Sequence, residues 1–320
     1  MTKSRVLGIL GSLVGLGLLV VALVVLRHQL RGVTVGDIIG ELRALPMIRV
    51  WAAVLLTVGG YLALGASDLV SLRYFERKLS LGKALLTSFV GYAFANSLPF
   101  AFLVGAWVRY RFYSEWKRVV GHATSVVFFN ILTYTLGLAA AMGVVFTLDP
   151  ATIPGLLRLP IPSTRPLGVA ALGLLALYLV WSASGKRVRI RKLKITPPPL
   201  ATSALQIVVS LADWILSGAA LFVLLPGPHR VPVLGFFGVF LLAQLPALIA
   251  QVPGGLGVFE AVMVAMLRHQ IPIPRLLVAL LAYRVIYFLI PLVIAAGLLV
   301  AKEIGRVTRH GFAEGRRAER

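Results

Sequence analysis

Long apolar runs separated by short polar segments dominate the chain. Six of them read as full membrane-spanning helices, over residues 6–26, 50–70, 119–148, 166–181, 200–225 and 276–301. Crossing the ~30 Å hydrocarbon core takes roughly 20 helical residues. Two further apolar stretches are interrupted by proline. The first, 84–98, meets Pro99 after about 15 residues, or ~22 Å of helix, which is too short to cross. The second, 234–252, carries Pro246 and runs into Pro253-Gly254-Gly255, and the apolar piece 254–267 that follows is short again. Whether this second stretch spans or re-enters is left open by hydropathy. A break frees N–H and C=O groups that hydrocarbon cannot satisfy, so it survives only where protein or a water-filled cavity covers it. The pattern predicts an all-α, polytopic integral membrane protein of about six full spans plus two proline-broken re-entrant or half-helix hairpins. One membrane domain is expected over residues 1–301, with a short basic tail over 302–320.

Composition agrees. Hydrophobic residues make up 59% of the 320, and mean hydropathy is +0.92, far above a soluble domain. Cysteine is absent, which excludes disulfides, thiolate metal sites and cysteine nucleophiles. The five histidines, His28, His122, His229, His269 and His310, are scattered without ligand-like spacing, so neither a metal nor another cofactor is expected. A net charge of +21 in a soluble protein would suggest nucleic acid. Here the basic residues lie in short loops, which points to anionic lipid surfaces instead. The run 6–26 follows Lys3 and Arg5 as a signal peptide would. It lacks a small-residue cleavage site before Arg27 and is read as a retained helix.

Placing the N-terminus inside, with each broken region returning to its side of entry, puts about two-thirds of the 32 lysines and arginines on the cytosolic side. This positive-inside bias predicts that both termini are cytoplasmic. The first hairpin then enters from the cytoplasm and the second from outside, as in an inverted repeat with a shared site near the midplane. The only sequence link between the halves is a polar-x-Pro pattern, Ser97-Leu98-Pro99 and Gln251-Val252-Pro253.

Candidate chemistry gathers near the breaks. Arg284 lies about nine residues into the last span, roughly 13 Å from its outer end. A lone cation there costs at least ~2.5–3.5 kcal/mol on insertion scales. Glu260, across the short loop 268–275, would sit at a matching depth and is predicted to face Arg284. The pair is either purely structural or part of a site, and Glu260 also suits a helix start after the glycines. Asp213, in the middle of 200–225, must be protonated, paired or on a polar pathway. Asp68 reads as interfacial. Tyr92 and Asn96 share a helix face just before Pro99. They suit either headgroup contact or satisfaction of the freed backbone. Arg109 and Arg111, among Trp107, Tyr110, Phe112 and Tyr113, fit interfacial anchoring or a planar phosphate clamp. Gly11 and Gly15 suggest close helix packing.

These residues carry a resemblance. The runs Leu72–Leu79, Ser88–Asn96 and Val108–Ser114, with Pro253-Gly254-Gly255-Leu256-Gly257-Val258-Phe259-Glu260 and Tyr283-Arg284, resemble the bacterial lysyl-phosphatidylglycerol synthase/flippase family, also called multiple peptide resistance factor. The resemblance covers residues 50–300. It implies an integral membrane, flippase-like domain of the bacterial plasma (inner) membrane, which in that family moves aminoacylated phosphatidylglycerol to the outer leaflet. No folded soluble domain is expected after residue 301, so the likeness is to a standalone version without the aminoacyl-transferase part. Gly105-Ala106-Trp107 departs from the family pattern, which leaves the substrate open.

The reading that follows is a lipid transporter. Arg284, Arg109 and Arg111 would attract phosphate, and Glu260 and Asp213 would engage a cationic headgroup or hold the arginines. With no GxxxxGK[ST] motif in the sequence, such transport is passive or ion-coupled. Two alternatives stand beside it: a non-catalytic membrane partner of a separate lipid synthase, and a membrane-bound lipid headgroup transferase. Expected partners are anionic or aminoacylated phospholipids and the membrane itself. A separate synthase and a homo-oligomer are left open, and nucleic acid is not expected.

Overall fold

The computed structural model describes residues 34–76, 79–98, 101–113, 123–150, 163–190, 193–225 and 231–318. The expected first span 6–26, its glycines, and Pro99 lie outside them. The described chain opens with a short helix, α1 (Val35–Arg43). Thr34 and Asp37 cap it reciprocally: the Asp37 N–H donates to Thr34 Oγ1 at 3.2 Å and the Thr34 N–H to Asp37 Oδ2 at 2.8 Å. Two orphan donors of the first turn are thereby satisfied.

Then follow α2 (Met47–Tyr74), α3 (Leu81–Ser97), α4 (Ala101–Tyr113), α5 (Ala123–Leu148), α6 (Arg165–Ser184), α7 (Leu200–Leu224), α8 (Val233–Ala250), α9 (Val258–Leu267), α10 (Ile273–Tyr283) and α11 (Ile290–Ala318). Among the described residues, six helices are long and apolar enough to cross a membrane: α2, α5, α6, α7, α8 and the continuous run Ile273–Ile304. The protein is an all-α polytopic membrane protein, as the hydropathy pattern predicts. The apolar run with Pro246 inside it stays helical as α8. Among the described residues, strand structure is slight. The basic loop after α6 forms two three-residue strands, β1 (Val188–Ile190) and β2 (Leu193–Ile195), paired antiparallel.

The spans are apolar outside and carry buried polar groups within an otherwise apolar interior. Leu55, Leu62, Leu174, Leu177 and Val180 face outward, whereas Thr57, Ser67, Asp68, Ser71, Thr133, Gln206, Ser210 and Asp213 are buried. Lipid is as apolar as leucine, so helices associate through close packing and hydrogen bonds rather than through apolar burial. Helix α2 lies along α7, and α5 packs on both α6 and α7. Close approach is made by small residues. A Cβ on Gly168 of α6 would lie 3.0 Å from the Thr147 nitrogen of α5, so a larger residue there would force two backbones apart.

The two broken regions are hairpins. Gly105 of α4 faces Ala95 of α3, while Gly91 faces Arg109, so numbers rise along one helix as they fall along the other. Helix α3 has 17 residues and α4 has 13, ~26 and ~20 Å of helix, both short of the hydrocarbon thickness. In the second hairpin, Phe240 of α8 meets Phe259 of α9 with ring centroids 5.8 Å apart. The tip between them, Gln251–Gly257, is held by left-handed residues: Gln251 (φ 53°), Gly254 (54°), Gly255 (65°) and Gly257 (80°). Gly255 is needed twice, because a Cβ there would also come within 2.7 Å of the Ala247 Cβ.

Candidate functional site

The two hairpin tips meet. A Cβ on Gly254 would sit 3.4 Å from the Asn96 carbonyl oxygen and 3.1 Å from the nearer Arg284 nitrogen, and Ser97 Oγ donates to the Phe288 carbonyl at 3.5 Å. Beside this junction lies a cavity of about 250 Å³, near the lower end of small-molecule sites. Of the sequence candidates, Tyr92, Asn96, Arg109, Asp213, Gly254 and Gly255 line it. Asn130 and Tyr134 of α5, Ser217 of α7, Gln244 and Gln251 toward the end of α8, and Tyr283 and Tyr287 add further polar groups to a wall that is otherwise apolar. Its rim is apolar: Leu98, Ile131 and Leu248 line the cavity and are also exposed on the outer surface. Residues from positions 64 to 288 are thus drawn to one space among the spans.

Arg109 is committed within the protein. Its Nε and NH2 donate to Asp68 Oδ2 and Oδ1 at 3.1 and 2.8 Å, and its NH1 donates to the Gly105 carbonyl at 3.3 Å. The guanidinium carbon lies 4.7 Å from the Tyr92 ring centroid. The Asn130 side-chain amide also donates to Asp68 Oδ1, and the Ser71 hydroxyl donates to Asn130 Oδ1. Asp68 is therefore fully buried rather than interfacial. One span-end carboxylate among apolar neighbours gives no sequence sign of a partner 41 residues away.

Arg284 and Glu260 do pair, as their matched depth predicts. They stand behind the tip of the second hairpin and are not part of the cavity wall. Glu260 Oε2 accepts the Gly257 N–H at 2.7 Å, which caps α9, and Arg284 NH1 donates to the Gly254 carbonyl at 3.1 Å. Arginine and glutamate together satisfy backbone groups that the break releases. Arg284 also opens a π-helical turn, Arg284–Leu289, inside the last span. Such turns recur at functional sites. Here Tyr287 and Phe288 within it, and Tyr283 just before it, line the cavity. Arg111 lies elsewhere, half-exposed and paired with Glu303.

Asp213 is different. It is 5% exposed, and the Tyr287 hydroxyl donates to its Oδ1 at 3.4 Å. Around it, Tyr61 donates to the Tyr287 carbonyl at 3.3 Å, and Ser217 bonds the Tyr283 hydroxyl at 2.7 Å. The rings of Tyr283 and Tyr287 stack at 5.2 Å.

Asn130, Gln244 and Tyr287 are not assigned to the site by the sequence, and Tyr283 enters only through the family resemblance. A lone amide in an apolar span is a usable signal, but only the fold shows which side of the helix it faces. Among the described residues, no group of three or more His, Cys, Asp or Glu side chains gathers as a metal site would require.

Comparison with known proteins gives a family match. The model of the lysylphosphatidylglycerol synthase TM region matches residues 9–295. The chain is 35% identical over 280 residues to an uncharacterized protein of Synechocystis sp., covering 87% of each. It is 32% identical over 247 residues to the inner membrane protein YbhN of Escherichia coli, covering 76% of this chain and 77% of that one. With phosphatidylglycerol lysyltransferase of Staphylococcus aureus it shares 25% identity over 305 residues, which is 92% of this chain but 34% of that protein.

Proposed function

The chain belongs to the lysylphosphatidylglycerol synthase TM-region family, and on that premise we propose that it is a flippase-like lipid transporter. It moves the headgroup of a phospholipid or aminoacylated phospholipid between leaflets without nucleotide hydrolysis. The observation that carries this reading is the cavity at the junction of the two hairpin tips. Its wall sets a cluster of polar side chains among apolar ones, and Leu98, Ile131 and Leu248 carry it to the outer surface, which suits a headgroup inside and acyl chains left in lipid. Broken helices meeting at a polar site are the arrangement transporters use to bind cargo within the membrane. Asn96, Tyr92 and the backbone around Gly254 are the groups nearest a bound phosphate, and Asp213 suits a cationic headgroup. Arg109 and Arg284 act on the site through the partners they hold.

The protein sits in the bacterial plasma (inner) membrane with both termini cytoplasmic. The name of the Escherichia coli relative and the distribution of basic residues support this placement. Hairpins that enter from opposite faces fit the same topology.

The test is reconstitution of the purified protein in liposomes with labelled phosphatidylglycerol and lysyl-phosphatidylglycerol, following headgroup accessibility over time. Headgroup-selective flipping is expected, slowed about tenfold, ~1.4 kcal/mol in the barrier, by Asn96→Leu. No flipping of either lipid would overturn the reading. A second reading draws on the Staphylococcus aureus relative, of which this chain spans only 34%: a membrane partner for a separately encoded lipid synthase. Co-purification of a soluble transferase, without flipping by this chain alone, would favour it.

A further inference from the structure

The other carboxylates buried in the spans already face a cation. Asp68 holds Arg109 and Glu260 holds Arg284. Asp213, on the cavity wall and also removed from water, has no basic side chain within ion-pairing distance among the described residues. Among the described residues, the groups that face it are uncharged. Helix α2 presents Tyr61, with Gly60 close enough that a Cβ there would lie 3.5 Å from Asp213 Oδ1. Helix α5 presents Tyr134, α8 presents Gln244, and the last span presents Tyr283 and Tyr287. Of the cations on the cavity wall, Arg109 has its guanidinium occupied by Asp68 and the Gly105 carbonyl.

A bare carboxylate in such a place is strongly disfavoured, and two neutralisers are open to it. One is a proton. The other is a cation entering the cavity. We propose that Asp213 is the proton-binding site of the cavity, holding a proton when no cation faces it and releasing that proton when one does. The step balances without a co-reactant: the carboxylic acid O–H breaks, the proton leaves to water in the cavity, and the carboxylate keeps the electron pair and faces the arriving ammonium. Release of the ammonium reverses it. Transport of a cationic headgroup would then be coupled to a proton moving the other way, which supplies a driving force in the absence of a nucleotide motif. The exchange half of this inference rests on the transport reading above, and the proton site does not.

The test reads the two halves separately. Infrared difference spectra of the purified full-length protein in phosphatidylglycerol vesicles, taken across mildly acid to mildly alkaline pH, should show a protonated-carboxyl band. Asp213→Asn should abolish that band and Asp213→Glu should shift it. Unaltered elution as a monodisperse species would show that each variant folds. No Asp213-dependent band anywhere in the range would overturn the proton site. Adding lysyl-phosphatidylglycerol to the vesicles should then diminish the band in the wild type. Flipping of that lipid with the band unchanged would overturn the exchange and leave the transport reading standing. A titrating band with no lipid flipped would support the proton site and overturn the transport reading.

Discussion

Arg109 and Asp68 form a two-pronged ion pair at 2.8 and 3.1 Å, with side chains 2% and 0% exposed, between the second described helix and the first broken hairpin. It anchors α4 to α2 from inside the membrane. Losing one member of a buried pair strands the other, which costs ~3–5 kcal/mol, whereas replacing both with apolar residues of similar volume is often neutral. Asp68→Leu and Arg109→Met should each sharply lower the thermal unfolding midpoint of the purified protein in detergent. The double variant should recover most of the loss. Single variants that melt with the wild type would dismiss this role.

The Glu260–Arg284 pair makes a prediction that charge alone would not. Glu260 also accepts the Gly257 N–H, so an arginine at 260 cannot cap α9. Reversing both charges should therefore leave the protein destabilised even though the pair is formally restored. Glu260→Gln keeps an acceptor and should cost less, ~1.5–3 kcal/mol for a lost charged hydrogen bond. Full recovery in the swapped double variant, measured by thermal unfolding, would refute the capping role.

Gly254 and Gly255 should respond unequally to alanine. Both occupy the left-handed region, where a side chain costs ~1–2 kcal/mol. At Gly254 the Cβ would meet the end of the Arg284 side chain at 3.1 Å, which can move aside. At Gly255 it would meet the Ala247 Cβ on the α8 backbone at 2.7 Å, adding an overpacking cost of ~1–3 kcal/mol. Gly255→Ala should be the more damaging, and the reverse order in melting experiments would contradict this tip geometry.

The rim of the cavity should control rate without controlling stability. Ile131 lines the cavity and is 43% exposed, while Leu55, 70% exposed, lies on an outer face of α2 away from it. Ile131→Trp is expected to slow headgroup flipping several-fold while stability shifts within ~0.5 kcal/mol, as exposed substitutions usually do. Leu55→Trp should change neither. Equal flipping rates for the two variants would rule out entry past Ile131.

Much of the fold was legible in the chain because hydropathy is a local property. A run of apolar residues needs no knowledge of its neighbours to be excluded from water, so α2, α5, α6, α7 and the last span all fall where the sequence places them. The breaks were legible for a related reason: proline and paired glycines limit the backbone wherever they occur. Depth counting along two antiparallel helices even matched Glu260 to Arg284. Rotation about each helix axis, by contrast, is decided by packing. Asn130, Gln244 and Tyr287 read as isolated polar residues in apolar runs until α5, α8 and the last span turn them toward one space. By itself the sequence determined where α2, α5, α6, α7 and the last span are apolar enough to cross, and that the chain leaves the helix at Pro253-Gly254-Gly255. Only the tertiary structure decided which buried charges are neutralised by partners and which, at Asp213, is left facing the cavity, because a counter-ion is a neighbour in space and not in sequence.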